Sequence, residues 1–103
     1  MAIIEVSKDN FEKEVKESSK KVLVDFNADW CGPCKMLKPV IEEIAESNKN
    51  IKVVSINIDN EDELAEEYDV SSIPCLVLFD KGKEIKRNVG FIPKDDIESF
   101  IEE

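Results

Sequence analysis

Cys31 and Cys34 are the two residues whose type and spacing most clearly suggest chemistry. They stand three positions apart, just behind the apolar run 22–26 and at the start of a helical pattern. A disulfide between them would close a very short loop and contribute only about 2 kcal/mol in the chain-entropy model, whereas stabilising disulfides usually close much longer loops. On one helix face, Cβ atoms at i and i+3 lie about 5–6 Å apart, a small adjustment from bonding distance. The pair therefore predicts reversible redox chemistry at a helix start.

Composition and charge exclude several other classes of protein. The chain has 103 residues, 42% hydrophobic and 37% charged, which fits a single globular domain over 1–103 with one core. Its net charge of −10 argues against nucleic acid and anionic membrane partners and is expected to keep a monomer in solution. Because the chain has no histidine, Cys–His nucleophiles, Ser–His–Asp triads and His-ligated metal sites are excluded.

The first residues bear on the cellular compartment. Met1-Ala2-Ile3-Ile4 is followed at once by Glu5, without the basic start and apolar stretch of a secretory signal. No run approaches the roughly 20 apolar residues of a membrane span. We therefore expect a cytoplasmic protein. Thiols there are kept reduced, so a CxxC pair is more often catalytic or metal-binding than structural.

Strands and helices must alternate along the chain to position these cysteines. Short β-rich runs predict strands at 2–6, 21–27, 51–58, 74–79 and 84–89, the last two joined by a hairpin turn at 80–83. Helical patterns cover a stretch after Asp9, with Asp9 and Glu12 as a capping pair, then 31–48 with a kink at Pro39, 62–68, and a last helix opened by Pro93. This order predicts an α/β fold whose sheet is mostly parallel with an antiparallel edge, covered by helices on both faces.

Four segments carry a resemblance to a known family. They are WCGPC at 30–34, VDF at 24–26, SIP at 72–74 and Val89-Gly90, and in order and approximate spacing the sequence resembles the thioredoxin family over essentially its whole length. The resemblance implies the thioredoxin fold, with about five strands and about four helices. It also implies a protein-disulfide reductase, active in electron transport and cell redox homeostasis, that is recharged by a thioredoxin reductase. No cofactor or metal is implied beyond the redox-active disulfide of Cys31 and Cys34.

Three residues form the expected catalytic set. Cys31 is the attacking thiol, because unpaired N–H groups and the dipole at a helix start favour a thiolate. Cys34, one turn further, is expected to be better buried and to resolve the mixed disulfide. Asp25 stands inside an apolar strand, where burial raises the pKa of a carboxyl group, so it could take the proton that Cys34 loses. The alternative for Asp25 is a strand-end residue pointing to solvent.

Seven residues are expected to bind the substrate: Trp30, Gly32, Pro33, Ile73, Pro74, Gly90 and Phe91. Trp30 is interpreted as a packed cover over the site, or otherwise as an ordinary core aromatic. The resemblance implies a cis Ile73–Pro74 bond and a backbone at Ile73 that pairs with an extended substrate. Gly90 is expected to let its loop come close to the site, unless it is a plain turn glycine, and Phe91 adds apolar contact.

Three positions depart from the family pattern. Asn27 stands where the family often has a large aromatic residue, and Ser55 where it often has a lysine near Asp25. Cys75 follows Pro74 where threonine is common. We interpret Cys75 as a small buried residue, with a regulatory thiol as the alternative.

Three other functions are compatible with a CxxC pair. An oxidase or isomerase would differ in reduction potential, which is about −270 mV for thioredoxin and about −120 mV for the oxidant DsbA. A metal-binding module would have to use Cys31, Cys34 and Cys75, although zinc usually takes four ligands. A binding subunit without redox chemistry would keep its activity when both cysteines of the pair are replaced.

Overall fold

A computed structural model of the protein describes residues 3–102. In this range the strands are β1 (Ile3–Glu5), β2 (Lys21–Asn27), β3 (Ile51–Asn57), β4 (Cys75–Asp80) and β5 (Lys83–Val89). The helices are a short π-helical segment (Glu12–Lys16), α1 (Gly32–Ser47), α2 (Asp62–Glu67) and α3 (Lys94–Glu102). The predicted elements are all present, with small shifts at their ends. Ala2, where the first strand was predicted to begin, lies outside the described residues.

The strands form one sheet in the order β1-β3-β2-β4-β5. β3 pairs in parallel with both β1 and β2, whereas β4 is antiparallel to β2 and to β5. This is the predicted mixed sheet with an antiparallel edge. The central strand, β2, is the one that leads into the two cysteines. Asp25 on β2 lies opposite Ser55 on β3 and Leu76 on β4.

Helices cover both faces of the sheet, as predicted. Val22, Val24 and Phe26 of β2 belong to a core that also contains residues of the π-helical segment and α2. Leu23 belongs to the other core, formed with α1 and α3. Because side chains alternate along a strand, Asp25 lies on the Leu23 side, under α1.

Helix α1 is held against the sheet by an apolar stripe. Leu37, Ile41 and Ile44 recur at helical spacing and are at most 1% exposed. Burying one such side chain contributes about 1.5–3 kcal/mol. Pro39 lies inside α1, which continues through it to Ser47. The amino end of α1, with both cysteines, is thus fixed relative to β2.

The predicted capping pair of Asp9 and Glu12 is wrong. The π-helical segment begins after Phe11 without a side-chain cap. Instead, the turn before it is closed by Asn10, whose Oδ1 accepts a hydrogen bond of 2.7 Å from the Ser7 backbone N–H. Asn10 and Ser7 can close such a turn because their short polar side chains reach nearby backbone groups.

The hairpin between β4 and β5 has the predicted turn. Lys81 and Gly82 both have positive φ, 54° and 83°, as a two-residue hairpin of the primed type requires. A Cβ at Gly82 would also lie 2.9 Å from the Lys16 carbonyl oxygen, so only glycine fits. Among the helices of residues 3–102, none combines the length and apolar character needed to cross a membrane.

Candidate active site

Cys31 and Cys34 are joined in a disulfide where the loop after β2 enters α1. Their Cα atoms lie 5.2 Å apart. Cys31 is the N-cap of α1 with an extended backbone (φ −89°, ψ 112°), and Pro33 lies in the first turn. Gly32 and Pro33 are both exposed. The structure therefore represents the oxidised form of a dithiol at a helix start.

The amino end of α1 surrounds the Cys31 sulfur with partial positive charge. The backbone N–H of Cys34 donates a hydrogen bond to Cys31 Sγ over 3.1 Å. The helix is 16 residues long and has no acidic side chain in its first turn. Unpaired N–H groups and the helix dipole favour negative charge at such a position. After reduction, the same groups favour a thiolate on Cys31.

The two cysteines are equally buried, each with 4% of its surface exposed. The expectation that Cys34 is better buried is therefore wrong for the oxidised form, because both cysteines pack in one cluster with Ala28, Ile58 and Ile73. What distinguishes them is position along the chain. Cys31 caps the helix, whereas Cys34 lies inside it and shares a cavity with Asp25.

Asp25 is the buried charged residue of the described chain, with 6% exposure. Its burial was predicted, and the solvent-facing alternative is wrong. Burial raises the pKa of Asp25 to about 7, with a smaller contribution from Glu5 in the same direction, whereas Asn27 and Lys38 oppose the rise. Asp25 Oδ1 has no hydrogen-bond partner. The carboxyl group is thus poised to gain or lose a proton near neutral pH.

A cavity of about 470 Å³ connects Asp25 and Cys34. It lies between α1 and the edge of the sheet formed by β1 and β3, and its lining includes Lys38 and Ser55. Carboxyl, amide, hydroxyl and ammonium groups line the cavity beside apolar surface, and it is large enough for water. Cys34 and Asp25 thus line one shared cavity.

Asn27 and Ser55, two of the departures from the family pattern, contact each other. Asn27 Nδ2 donates a hydrogen bond of 2.8 Å to Ser55 Oγ and one of 2.9 Å to the Asp25 carbonyl oxygen. Both residues line the cavity. On the strand side, the cavity is thus lined by the hydrogen-bonded pair of Asn27 and Ser55, which carries no charge.

Trp30 is not packed over the site, and the core alternative is wrong as well. Its surface is 68% exposed. The indole is instead held at the surface by Asp59, whose Oδ2 accepts a hydrogen bond of 2.9 Å from Trp30 Nε1. The indole face remains open beside Cys31.

The segments containing Ile73 and Gly90 are joined by a hydrogen bond beside the disulfide. The Ile73–Pro74 bond is cis, as the resemblance implied, and Pro74 is buried. Gly90 N–H donates to the Pro74 carbonyl oxygen over 2.8 Å. A Cβ at Gly90 would meet nothing within 4 Å in the described chain, so glycine is favoured there by its φ of 101°. That Gly90 lets its loop come close to a bound substrate stays a prediction. Phe91 follows with 40% exposure.

Cys75 lies on the opposite face of the sheet from Asp25, in the core with Phe26 and Val77. It is 1% exposed, and burial raises the pKa of its thiol. This is the small buried residue that was predicted. Within residues 3–102, no group of three or more Cys, Asp or Glu side chains is arranged to hold a metal ion.

Two functional candidates were missed by sequence reasoning. Lys38 lies four residues after Cys34, so helical spacing alone could have placed it beside the site. Asp59 had no such signal, because its contact with Trp30 joins the end of β2 to the end of β3.

Comparisons with known proteins agree with this geometry. The chain matches the family model described as Thioredoxin over residues 2–103. A thioredoxin of Chlamydia trachomatis is 46% identical over 96 residues, which are 93% of this chain and 92% of the relative. A thioredoxin of Pyropia yezoensis is 42% identical over 102 residues, 98% of this chain and 95% of the relative. A Mycobacterium leprae protein named bifunctional thioredoxin reductase/thioredoxin is 49% identical over 88 residues, 84% of this chain but 19% of that longer protein.

Proposed function

Since the chain belongs to the thioredoxin family and is a protein-disulfide reductase with a redox-active Cys31–Cys34 pair, we propose distinct roles for the two cysteines. Cys31 attacks the substrate disulfide, and Cys34 resolves the product. The observation that carries this assignment is the hydrogen bond from Cys34 N–H to Cys31 Sγ at the helix start. It supports Cys31 as the sulfur whose negative charge the helix stabilises.

In the first step, the Cys31 thiolate attacks one sulfur of a protein disulfide. A bond forms between Cys31 Sγ and that sulfur, the substrate S–S bond breaks, and the second substrate sulfur leaves as a thiolate. A lowered pKa raises the fraction of thiolate at neutral pH, which increases the attack rate as long as the sulfur stays nucleophilic.

In the second step, Cys34 loses its proton to the Asp25 carboxylate and attacks Cys31 Sγ. The Cys31–Cys34 disulfide forms while the bond between Cys31 and the substrate breaks, and the substrate sulfur that Cys31 had captured leaves as a thiolate. Two electrons have then passed from the dithiol to the substrate. Asp25 is suited to accept the proton because its pKa is raised to about 7 and it shares the cavity with Cys34.

The substrate contacts a rim around the disulfide that is partly apolar. Trp30 and Phe91 provide exposed aromatic surface, and Gly32 and Pro33 leave the approach to the sulfurs open. Ile73 packs against the disulfide cluster, and its backbone is available for pairing with an extended substrate strand. Pro74 and Gly90 hold that segment in place through their hydrogen bond.

The partner that restores the dithiol is a thioredoxin reductase. The fused arrangement in the Mycobacterium leprae relative, whose name combines the two activities, supports this assignment. We also propose that the chain works as a single-domain monomer in the cytoplasm. Its charge of −10 supports a role away from nucleic acid and anionic membranes.

Catalysed reduction of insulin by dithiothreitol tests these roles. Cys31→Ser is expected to abolish catalysis. Cys34→Ser keeps the first step but not the second, so it accumulates a mixed disulfide with insulin that mass spectrometry detects. Cys75→Ala, at the third cysteine, is the control and keeps the parent rate. A Cys31→Ser variant with parent activity would contradict the assignment.

A further inference from the structure

The sheet side of the cavity offers Asp25 no cation. Ser55, its neighbour on β3, accepts a hydrogen bond from Asn27, and Asn57 is the other β3 residue in the lining. On β4, the position opposite Asp25 is Leu76. Any positive charge that faces the Asp25 carboxyl group must therefore come from elsewhere.

Helix α1 provides that charge. Lys38 and Lys35 are the basic residues of the cavity lining. Lys38 lies four residues after Cys34, so it projects from the same helix face one turn further along. Its side chain is exposed, and within residues 3–102 its ammonium group has no ion-pair partner. It is therefore free to approach the mouth of the cavity.

We propose that Lys38 is a positioning residue for the second step of the exchange, because its ammonium group acts across the cavity as the counter-charge of the Asp25 carboxylate. The inference rests on the proposed role of Asp25 as the acceptor of the Cys34 proton. In that step the proton moves from Cys34 Sγ to an Asp25 oxygen while the Cys34 electron pair forms the bond to Cys31. Lys38 acts beforehand, by keeping Asp25 ionised and so able to take the proton.

The other charged groups around the cavity are mostly acidic. Glu5 from β1, Asp29 from the loop after β2 and Glu42 from α1 all line it, and Lys35 is the second basic group. Of the three acidic groups, Glu5 is the one whose charge raises the pKa of Asp25. Lys38 lowers the pKa of Asp25 and Glu5 raises it. Removing one or the other charge should therefore move the titration of Asp25 in opposite directions.

The titration of the Asp25 carboxyl carbon, followed by NMR in the oxidised protein, tests the proposal directly. Lys38→Gln is expected to raise the pKa of Asp25 by roughly 0.3–0.5 units, a two- to threefold change in proton affinity, because the charge is exposed and partly screened. Glu5→Gln should lower it, and Lys38→Arg should leave it near the parent value. In about 1 M salt, where the Debye length is only about 3 Å, the difference should largely disappear.

Lys49→Gln is the matched control. It makes the same change in net charge at an exposed lysine that follows the far end of α1. Lys49→Gln should leave the pKa of Asp25 at the parent value. Equal shifts for Lys38→Gln and Lys49→Gln, or no shift for Lys38→Gln, would overturn the proposal.

A kinetic measurement separates this inference from the proposed function. The release of the substrate from a preformed mixed disulfide reports the second step. In Lys38→Gln, the pH profile of this release rate should shift to higher pH, in the same direction as the NMR titration of Asp25. If Asp25→Asn leaves that profile unchanged, the role of Asp25 itself fails. If Asp25→Asn alters the profile but Lys38→Gln and Lys49→Gln behave alike, only the role of Lys38 fails.

Discussion

The backbone N–H of Cys34 donates a 3.1 Å hydrogen bond to Cys31 Sγ, so the second cysteine helps to hold the first at the start of α1. The two sulfurs are equally buried in the disulfide. Their difference therefore comes from their place on the helix, since one caps it and the other lies within its first turn beside the Asp25 cavity. That asymmetry supports an attacking and a resolving thiol in a pair of identical side chains.

Asp25→Asn should stabilise the oxidised protein more at alkaline than at acid pH. The pKa of Asp25 is raised from 3.8 to about 7 on folding, so between these values the folded state binds more protons than the unfolded state. The free energy of unfolding therefore falls as pH rises through this window. Above about pH 7, the ionised carboxylate lowers the free energy of unfolding by as much as about 4 kcal/mol. In urea unfolding, Asp25→Asn should raise the free energy of unfolding by about 2–3 kcal/mol more at about pH 8.5 than at about pH 5.

Asp9→Asn is the control for this measurement. It removes the same charge from an exposed aspartate in the turn after β1, outside the lining of the cavity. Its effect on unfolding should vary little between the two pH values. A pH-independent effect of Asp25→Asn would show that its carboxyl group is not the buried acid described above.

Asp59→Ala should weaken the docking of protein substrates without slowing the chemistry. The substitution removes the acceptor for Trp30 Nε1, so the exposed indole loses a hydrogen bond that orients it. A side-chain hydrogen bond to a charged group contributes about 1.5–3 kcal/mol at most, and less at an exposed site. We expect KM for insulin to rise a few-fold, whereas turnover of a small aromatic disulfide stays unchanged. Glu46→Ala, on the exposed face of α1, should alter neither value.

Gly90→Ala and Gly32→Ala should change stability in opposite directions. A Cβ would meet nothing within 4 Å at either site, but Gly90 has a φ of 101° and Gly32 lies in the first turn of α1. Alanine at 90 is therefore expected to cost about 1–2 kcal/mol through backbone strain alone. Alanine at 32 should raise the free energy of unfolding by up to about 1 kcal/mol, because it restricts the conformations of the unfolded chain. Urea unfolding of the two variants checks the pair, and equal losses would contradict this explanation.

Much of the fold follows from patterns that are local in sequence. The nearly continuous apolar run of β2 and the helical stripe of Leu37, Ile41 and Ile44 identify these elements without any knowledge of their partners. The burial of Asp25 could be predicted in the same way, because apolar residues flank it on both sides in the strand.

What sequence patterns could not give are contacts between distant segments. The exposure of Trp30 depends on Asp59, which lies 29 residues away. The neutral Asn27–Ser55 pair depends on the register of β2 against β3, which the separate strand patterns do not specify. Likewise, the equal burial of the two cysteines depends on Ala28, Ile58 and Ile73 meeting around the disulfide.

The reactivity of Cys31 in the reduced protein is tested most directly by the pH dependence of its alkylation with iodoacetamide, read by mass spectrometry at that residue. The hydrogen bond and the helix start predict that labelling reaches half its maximal rate at least one pH unit below the value of about 8.5 for an ordinary thiol. The urea-unfolded chain should show that ordinary value. If the alkylation of Cys31 reaches half its maximal rate at the same pH in the folded, reduced protein and in the urea-unfolded chain, the helix start does not activate this thiol.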